Sequence, residues 1–155
     1  MRADWEALKQ QRQNWAFFNK TVVFTNGCFD IVHAGHIQYL KDAKRLGDIL
    51  VVGLNSDSSV QGLKGSTRPI QRFEHRQAIL SSLSMVDAVI GFDDPTPIPL
   101  IEQIRPDIHV KGGDYEKDSL PETEIVESYG GQVEILPFLP GCSSSSIIQK
   151  ILDNG

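Results

Sequence analysis

The chain predicts an α/β fold: one open parallel sheet of five strands with helices on both faces. From Thr21 onward, short apolar runs alternate with segments of helical spacing, the order of a parallel sheet whose crossovers are helices. The early runs, Val22-Val23-Phe24 and Ile49-Leu50-Val51-Val52, are continuous rather than alternating, as in strands covered on both faces. Glycines, histidines, lysines and serines gather just after the runs, in 25–36, 55–69, 111–115 and 140–146. One edge of the sheet, beyond the carboxyl ends of its strands, therefore collects the chemistry. At 155 residues the chain is long enough for one core and short for two.

Taken in order, residues 3–18 place Trp5, Leu8, Trp15 and Phe18 at helical spacing and predict a helix ahead of the sheet. A fold that starts at Thr21 does not require it. Residues 1–19 are therefore set apart as a helical extension, its tryptophans expected to cover an edge or a second subunit, and 20–155 form the domain proper. Strand one is 21–26. A helix over 35–46 ends at Gly47, a C-cap residue. Strand two, 48–54, stops at Asn55-Ser56-Asp57-Ser58, a helix cap or turn. The stretch 62–70 is polar, basic and glycine-bearing and is expected to be a mobile loop. A helix over 71–83 turns Phe73, Ala78, Ile79 and Leu83 inward, and strand three is 86–91. Thr96 before Pro97 predicts a capped helix from Pro97 to Ile104. Strand four is 106–110, a helix follows over 121–129, and strand five is 132–136. Four serines open the last helix, Ser143 to Leu152. The whole is Rossmann-like.

The formal net charge of −5 argues against a broad basic surface for nucleic acid. It leaves room for a local basic pocket, to which Lys64, Arg68 and Lys111 can contribute for a small anionic substrate. Cys28 and Cys142 form no C-x-x-C pair and no disulfide framework, which fits a reducing compartment. The N-terminus is polar and carries acids, unlike a signal peptide. No apolar run approaches transmembrane length. A cytoplasmic protein without a membrane partner is expected.

The densest chemistry lies in Thr25-Asn26-Gly27-Cys28-Phe29-Asp30-Ile31-Val32-His33-Ala34-Gly35-His36. A strand that runs through a glycine-bearing turn into a helix N-terminus presents unpaired N–H groups and a favourable dipole to an anion. Gly27 allows close backbone approach. His33 and His36, three apart, can point to one side of the first turn and donate to phosphate oxygens as charge builds up. The stretch matches neither G-x-G-x-x-G nor G-x-x-x-x-G-K-[ST], so a dinucleotide fingerprint and a P-loop are not supported. Asp30 is its only carboxylate and no further ligands lie nearby in sequence, so no metal site is expected. Cys28 reads as a small residue beside a tight turn.

Four other positions carry two readings each. Lys64 and Arg68 are either solvated loop cations or phosphate contacts. Gly112-Gly113 after a strand suggests close approach of a ligand to Lys111 and Asp114. Asp114 can serve a ribose hydroxyl, a base or a metal ion, or bond its own backbone in a turn. Of Ser143 to Ser146, one caps the helix, and the others can hold a second phosphate at its start.

The block Asn26-Gly27-Cys28-Phe29-Asp30 with His33-Ala34-Gly35-His36 resembles the signature of the H-x-G-H nucleotidyltransferase superfamily, in its cytidylyltransferase-like branch. Arg68-Pro69-Ile70, Val110-Lys111-Gly112-Gly113-Asp114-Tyr115 and Gly141-Cys142-Ser143-Ser144-Ser145-Ser146-Ile147-Ile148 are similar to the heptose 1-phosphate adenylyltransferases within it. The resemblance covers roughly residues 20 to 152. It implies transfer of AMP from ATP to D-glycero-β-D-manno-heptose 1-phosphate, giving ADP-heptose and pyrophosphate, a step toward lipopolysaccharide core sugars, with Mg²⁺ accompanying ATP. In that family the domain is often fused behind a sugar kinase. None is seen here, so the resemblance implies a free-standing transferase, with a separate heptose kinase and a second copy of the chain as candidate partners.

Carried over by motif, His33, His36 and Lys64 are the catalytic set. Asn26, Gly27, Cys28, Phe29, Gly35 and Asp114 meet the nucleotide, Cys28 and Phe29 through their backbone and Asp114 near the ribose. Ser145 and Ser146 take the β/γ-phosphates; Arg68 and Lys111, read above as parts of a local basic pocket, are assigned to the substrate phosphate. The family often has Thr in the last motif where this chain has Ser; the hydroxyl is retained. Glycerol-3-phosphate cytidylyltransferase and FAD-synthetase-like activities are the alternatives among enzymes, and a non-catalytic nucleotide-binding regulatory module is the alternative outside them.

Overall fold

The computed structural model describes residues 4–155. Five parallel strands, β1 (Val22–Gly27), β2 (Ile49–Asn55), β3 (Ala88–Phe92), β4 (Ile108–Gly112) and β5 (Gln132–Leu136), form one sheet in the order β3-β2-β1-β4-β5. The chain winds outward from β1 through β2 to β3, then returns to β1's other side for β4 and β5. Strand order thus reverses between β1 and β4, the place where open α/β sheets bind ligands. Val22 pairs with Ile49, and Phe24 with both Val51 and His109.

Period-two geometry sends Val22, Phe24 and Val51 to one face and Val23, Leu50 and Val52 to the other. Against the first face pack α1 (Trp5–Phe17), α5 (Ile98–Ile104) and α6 (Pro121–Ser128), through Leu8, Leu100, Ile101, Ile104 and Val126. Against the second pack α2 (Ala34–Lys44) and α4 (Phe73–Ser81), through Tyr39, Leu40, Ala43 and Leu80. The central strands are buried on both sides, which is why they read as unbroken apolar runs.

The expected helix start at residue 3 lies outside the described residues. Asp4 caps α1 by accepting from the Ala7 N–H at 2.8 Å. Trp5 and Trp15 pack against this chain's own core rather than facing outward. Arg12 fastens α1 by donating to the carbonyls of Ile104 and Arg105, each at 3.0 Å. The large apolar side chains that α1 and its end leave exposed are Phe17 and Phe18.

The segment expected as a loop after β2 is partly helical. Helix α3 (Asp57–Lys64) is capped by Ser56, whose hydroxyl accepts from the Ser59 N–H at 3.1 Å. Gly62 and Lys64 therefore sit on a helix. Fully buried Val60 anchors it, an apolar contact that outweighs the low propensity of a polar, glycine-bearing segment. The cap expected at Thr96 falls one residue later: Pro97 precedes α5 and no side chain caps it. Helix α7 (Ser144–Asn154) buries no residue and leaves Ile151 and Leu152 exposed.

Candidate active site

The β1–α2 connection is held from below by two buried side chains. Asp30, fully buried, accepts from Arg68 Nε at 2.5 Å, the Ile70 N–H at 2.8 Å and the Gln71 N–H at 3.0 Å. Burial alone would raise its pKa; the Gln71 and Ile70 N–H groups and the Arg68 guanidinium outweigh that and hold it below the usual carboxylate range. Arg76, also fully buried, donates to the Cys28 carbonyl at 2.6 Å, to the Gln71 carbonyl at 3.0 Å and to Asp57 Oδ1 at 2.7 Å. These bonds fix a turn in which Phe29 takes a left-handed backbone, φ 44°, uncommon outside glycine. The Phe29 ring lies 5.0 Å from that of His36. Burial, opposed by the charges of Lys64, Arg76 and Arg68, raises the Cys28 pKa and keeps the group a thiol at neutral pH.

His33 is the N-cap of α2, and its Nδ1 faces the His36 N–H at 3.4 Å. As an acceptor there, Nδ1 leaves the ring proton on Nε2. The rings of His33 and His36 stack with centroids 3.9 Å apart. Gly35 permits this arrangement: a Cβ there would lie 3.0 Å from His33 Cε1 and 3.0 Å from Cys142 Cβ. Burial first, then the charges of His33 and Lys64, lower the His36 pKa to about 4 against a weaker opposing pull from the Ile31 backbone. Burial also lowers that of His33. Both imidazoles are neutral hydrogen-bonding groups at pH 7 in the free protein.

Two adjoining cavities share His36, Tyr39, Lys64, Phe138 and Ser144 as a common wall. One, about 170 Å³, extends over Asn26 to Asp30 toward Lys111, Gly112 and Tyr115. The other, about 240 Å³, extends over His33, Gly35 and Cys142 toward Ser143 and Ser145. Sites for small molecules span roughly 300–1,000 Å³, so the pair, taken as one cleft at the strand-order reversal, has the size of a site where neither half does.

The cleft thus brings together His33, His36, Lys64 and Ser145, along with Asn26, Gly27, Cys28, Phe29, Gly35 and Lys111. Three expected residues stand outside its walls. Arg68 lies behind Asp30. Asp114 is exposed beyond β4. Ser146 is spent in a capping box, its N–H donating to Ser143 Oγ and its hydroxyl to the Ser143 carbonyl. Lys111 is in the wall but its ammonium donates to nearly buried Glu122 at 2.8 Å. Ser144 donates to the Ile31 carbonyl at 3.0 Å and ties the start of α7 to the β1–α2 connection.

Ser144, one of the four serines read as a phosphate-holding helix start, lines the cleft; Tyr39, Phe138, Tyr115 and Cys142 line it too and were not singled out as site residues. Tyr39 had a signal, standing three residues after His36 on the same helix face. Its hydroxyl is committed to Thr25 Oγ1 at 2.6 Å and the Val110 carbonyl at 3.1 Å, so it closes the floor. Phe138 follows β5 on the ligand edge of the sheet, the only mark it carries in the sequence.

A cytidylyltransferase-like family model matches residues 24–150. The chain is 54% identical over 134 residues to the bifunctional protein HldE of Syntrophotalea carbinolica, covering 86% of this chain and 27% of that protein. It is 51% identical over 146 residues to the HldE of Hahella chejuensis, covering 94% and 31%. The chain thus spans less than a third of the length of these relatives. The crystal structure of the lipopolysaccharide core biosynthesis protein from Thermoplasma volcanium GSS1 superposes with a TM-score of 0.63 at 32% identity, covering 77% of this chain and 97% of that one.

Proposed function

The chain belongs to the cytidylyltransferase-like family, and from that premise we propose that it transfers AMP from ATP to D-glycero-β-D-manno-heptose 1-phosphate, giving ADP-heptose and pyrophosphate. The observation that carries the reading is the convergence of His33, His36, Lys64 and the serine-bearing start of α7 on one cleft. The similarity to proteins named for lipopolysaccharide core biosynthesis and to HldE supports the choice of sugar.

A sugar phosphate oxygen attacks the α-phosphorus of ATP in line, the new P–O bond forms, and the bond to pyrophosphate breaks. That oxygen is already ionised at neutral pH and needs no general base. Catalysis is then positioning and charge stabilisation, which suits a cleft furnished with donors and a cation and without a nucleophile–base pair among its described residues. His33 donates through Nε2. His36 meets the growing charge as a neutral imidazole. Lys64 supplies a full positive charge. The first turn of α7, with Ser145, holds the outer phosphates at a helix N-terminus. Arg68 acts from behind Asp30 by fixing the loop, and Lys111 faces the ligand while tethered to Glu122.

Mg²⁺ is proposed to arrive on the triphosphate oxygens with its waters, where it would neutralise phosphate charge. Among the described residues lining the cleft the one carboxylate, Asp30, is consumed by three hydrogen bonds, and no three His, Cys, Asp or Glu side chains converge. The protein side therefore does not fit a cage of its own for the ion. Both cysteines are free and no described helix is long and apolar enough to cross a membrane, which supports work in the reducing cytoplasm.

Incubation with ATP or CTP against heptose 1-phosphate, glycerol 3-phosphate and a flavin mononucleotide acceptor, read as pyrophosphate release, tests the proposal. ATP with heptose 1-phosphate is expected to turn over fastest. Faster release with CTP and glycerol 3-phosphate, or none with any pair, overturns it.

A further inference from the structure

We propose that Phe138 is the platform on which the base of the nucleotide stacks, and that its ring favours a purine over a pyrimidine. The inference rests on the nucleotide-transfer reading above. Phe138 is 62% exposed, whereas Phe24, Phe29 and Phe92 are buried. Phe138 lines both halves of the cleft.

Its position is fixed from behind. A Cβ at Gly112 would fall 2.5 Å from Phe138 Cε1, and one at Gly113 3.2 Å from Cε2. The ring therefore rests on bare backbone that only glycine leaves open. That backbone is itself held, because β4 and β5 stay in register to Gly112 and Leu136 and the Gly113 N–H donates to the Leu136 carbonyl at 3.0 Å. Tyr39 flanks the ring at 6.4 Å and a 56° tilt. The side facing the cleft has no such partner among the described residues.

Charge is uneven around that ring. His36 and Lys64 share the common wall with Phe138, and His33 adds a second imidazole in one half. In the other half the cation, Lys111, has its ammonium turned to Glu122, leaving Tyr115 and the Gly112 backbone beside Phe138. Such a cleft suits a ligand with an anionic tail and a flat π-system at its head. Stacking on an aromatic ring tolerates any base, since each has a π-face, but it grows with overlap, so the larger purine gains more.

The test uses the full chain, with binding of ATP, CTP and inorganic tripolyphosphate measured by calorimetry in the presence of Mg²⁺. Phe138→Ala is expected to weaken ATP about 5- to 20-fold, to weaken CTP less, and to leave tripolyphosphate within about twofold. Phe138→Trp is expected to restore ATP binding, with indole fluorescence, over the wild-type background, quenched by ATP and not by tripolyphosphate. Equal losses for ATP and tripolyphosphate, or ATP binding unchanged in Phe138→Ala, overturn the platform while leaving the nucleotide reading in place. A wild-type chain that binds none of the three overturns both.

Discussion

Gly35→Ala separates folding from chemistry in this protein. The methyl would lie 3.0 Å from His33 Cε1, 3.1 Å from its Nδ1 and 3.0 Å from Cys142 Cβ. Ordinary carbon contacts begin near 3.4 Å, so these neighbours must give by a few tenths of an ångström. The 142–144 segment cannot retreat freely, because Ser144 is bonded to the Ile31 carbonyl. The imidazole therefore gives way and its stack on His36 opens. Stability should hardly change, since alanine in a helix gains roughly 0.5–1 kcal/mol over glycine and offsets much of the contact. A displacement of that size in a positioning group costs about tenfold in rate. The assay is pyrophosphate release at saturating ATP beside a thermal melt. The expected outcome is a Tm within about 4 °C of wild type and turnover down by that factor. Turnover within threefold of wild type in the folded variant would refute the role given to the packing around Gly35.

Three further outcomes follow from named contacts. Asp30→Asn leaves the Arg68 guanidinium, 12% exposed, without its counter-charge; a loss of about 3 kcal/mol, or roughly 6–12 °C in Tm, is expected. Adding Arg68→Met should recover part of that loss, and a loss under about 1 kcal/mol for the single variant would count against the buried pair. Lys64→Ala should raise the ATP KM or lower turnover by roughly tenfold or more with the melt unchanged; unaltered kinetics would make Lys64 a solvated surface cation. His36 and His109 both have pKa values lowered to about 4, chiefly by burial, so the unfolded chain binds protons at pH 5 that the folded chain does not. Stability should therefore fall as pH drops from about 6.5 to 4, with uptake on unfolding at pH 5 near two protons, a further fraction coming from His33; uptake below one would contradict the burial of these rings.

The sheet was legible because its central strands are buried on both faces: Val22 to Phe24 and Leu50 to Leu54 need no partner to be recognised. Helix α3 was not, because buried Val60 and the Arg76 bond to Asp57 hold a segment whose other residues favour a turn, and those contacts belong to the tertiary structure. The Thr96 cap failed for a similar reason: Thr-Pro is a good local signal, yet the backbone enters α5 one residue later. At the site, His33 and His36 stood out through their spacing just after a strand, and Gly35 through the motif it shares with them. What Arg68 and Lys111 touch did not, because their partners, Asp30 and Glu122, lie 38 and 11 residues away. Asp30 read as a stray carboxylate of the motif, and only the fold brings the Ile70 and Gln71 N–H groups to it. Phe138 left almost no trace, since an aromatic residue after a strand more often enters a core.

The central claim is that the stacked imidazoles meet charge growing at the α-phosphorus. Its most direct test is the single-turnover rate of His36→Ala with ATP and heptose 1-phosphate both saturating, in a variant whose melt matches wild type. A fall of about 10²–10³-fold with little change in ATP affinity is the predicted result. A rate within a few-fold of wild type would contradict it.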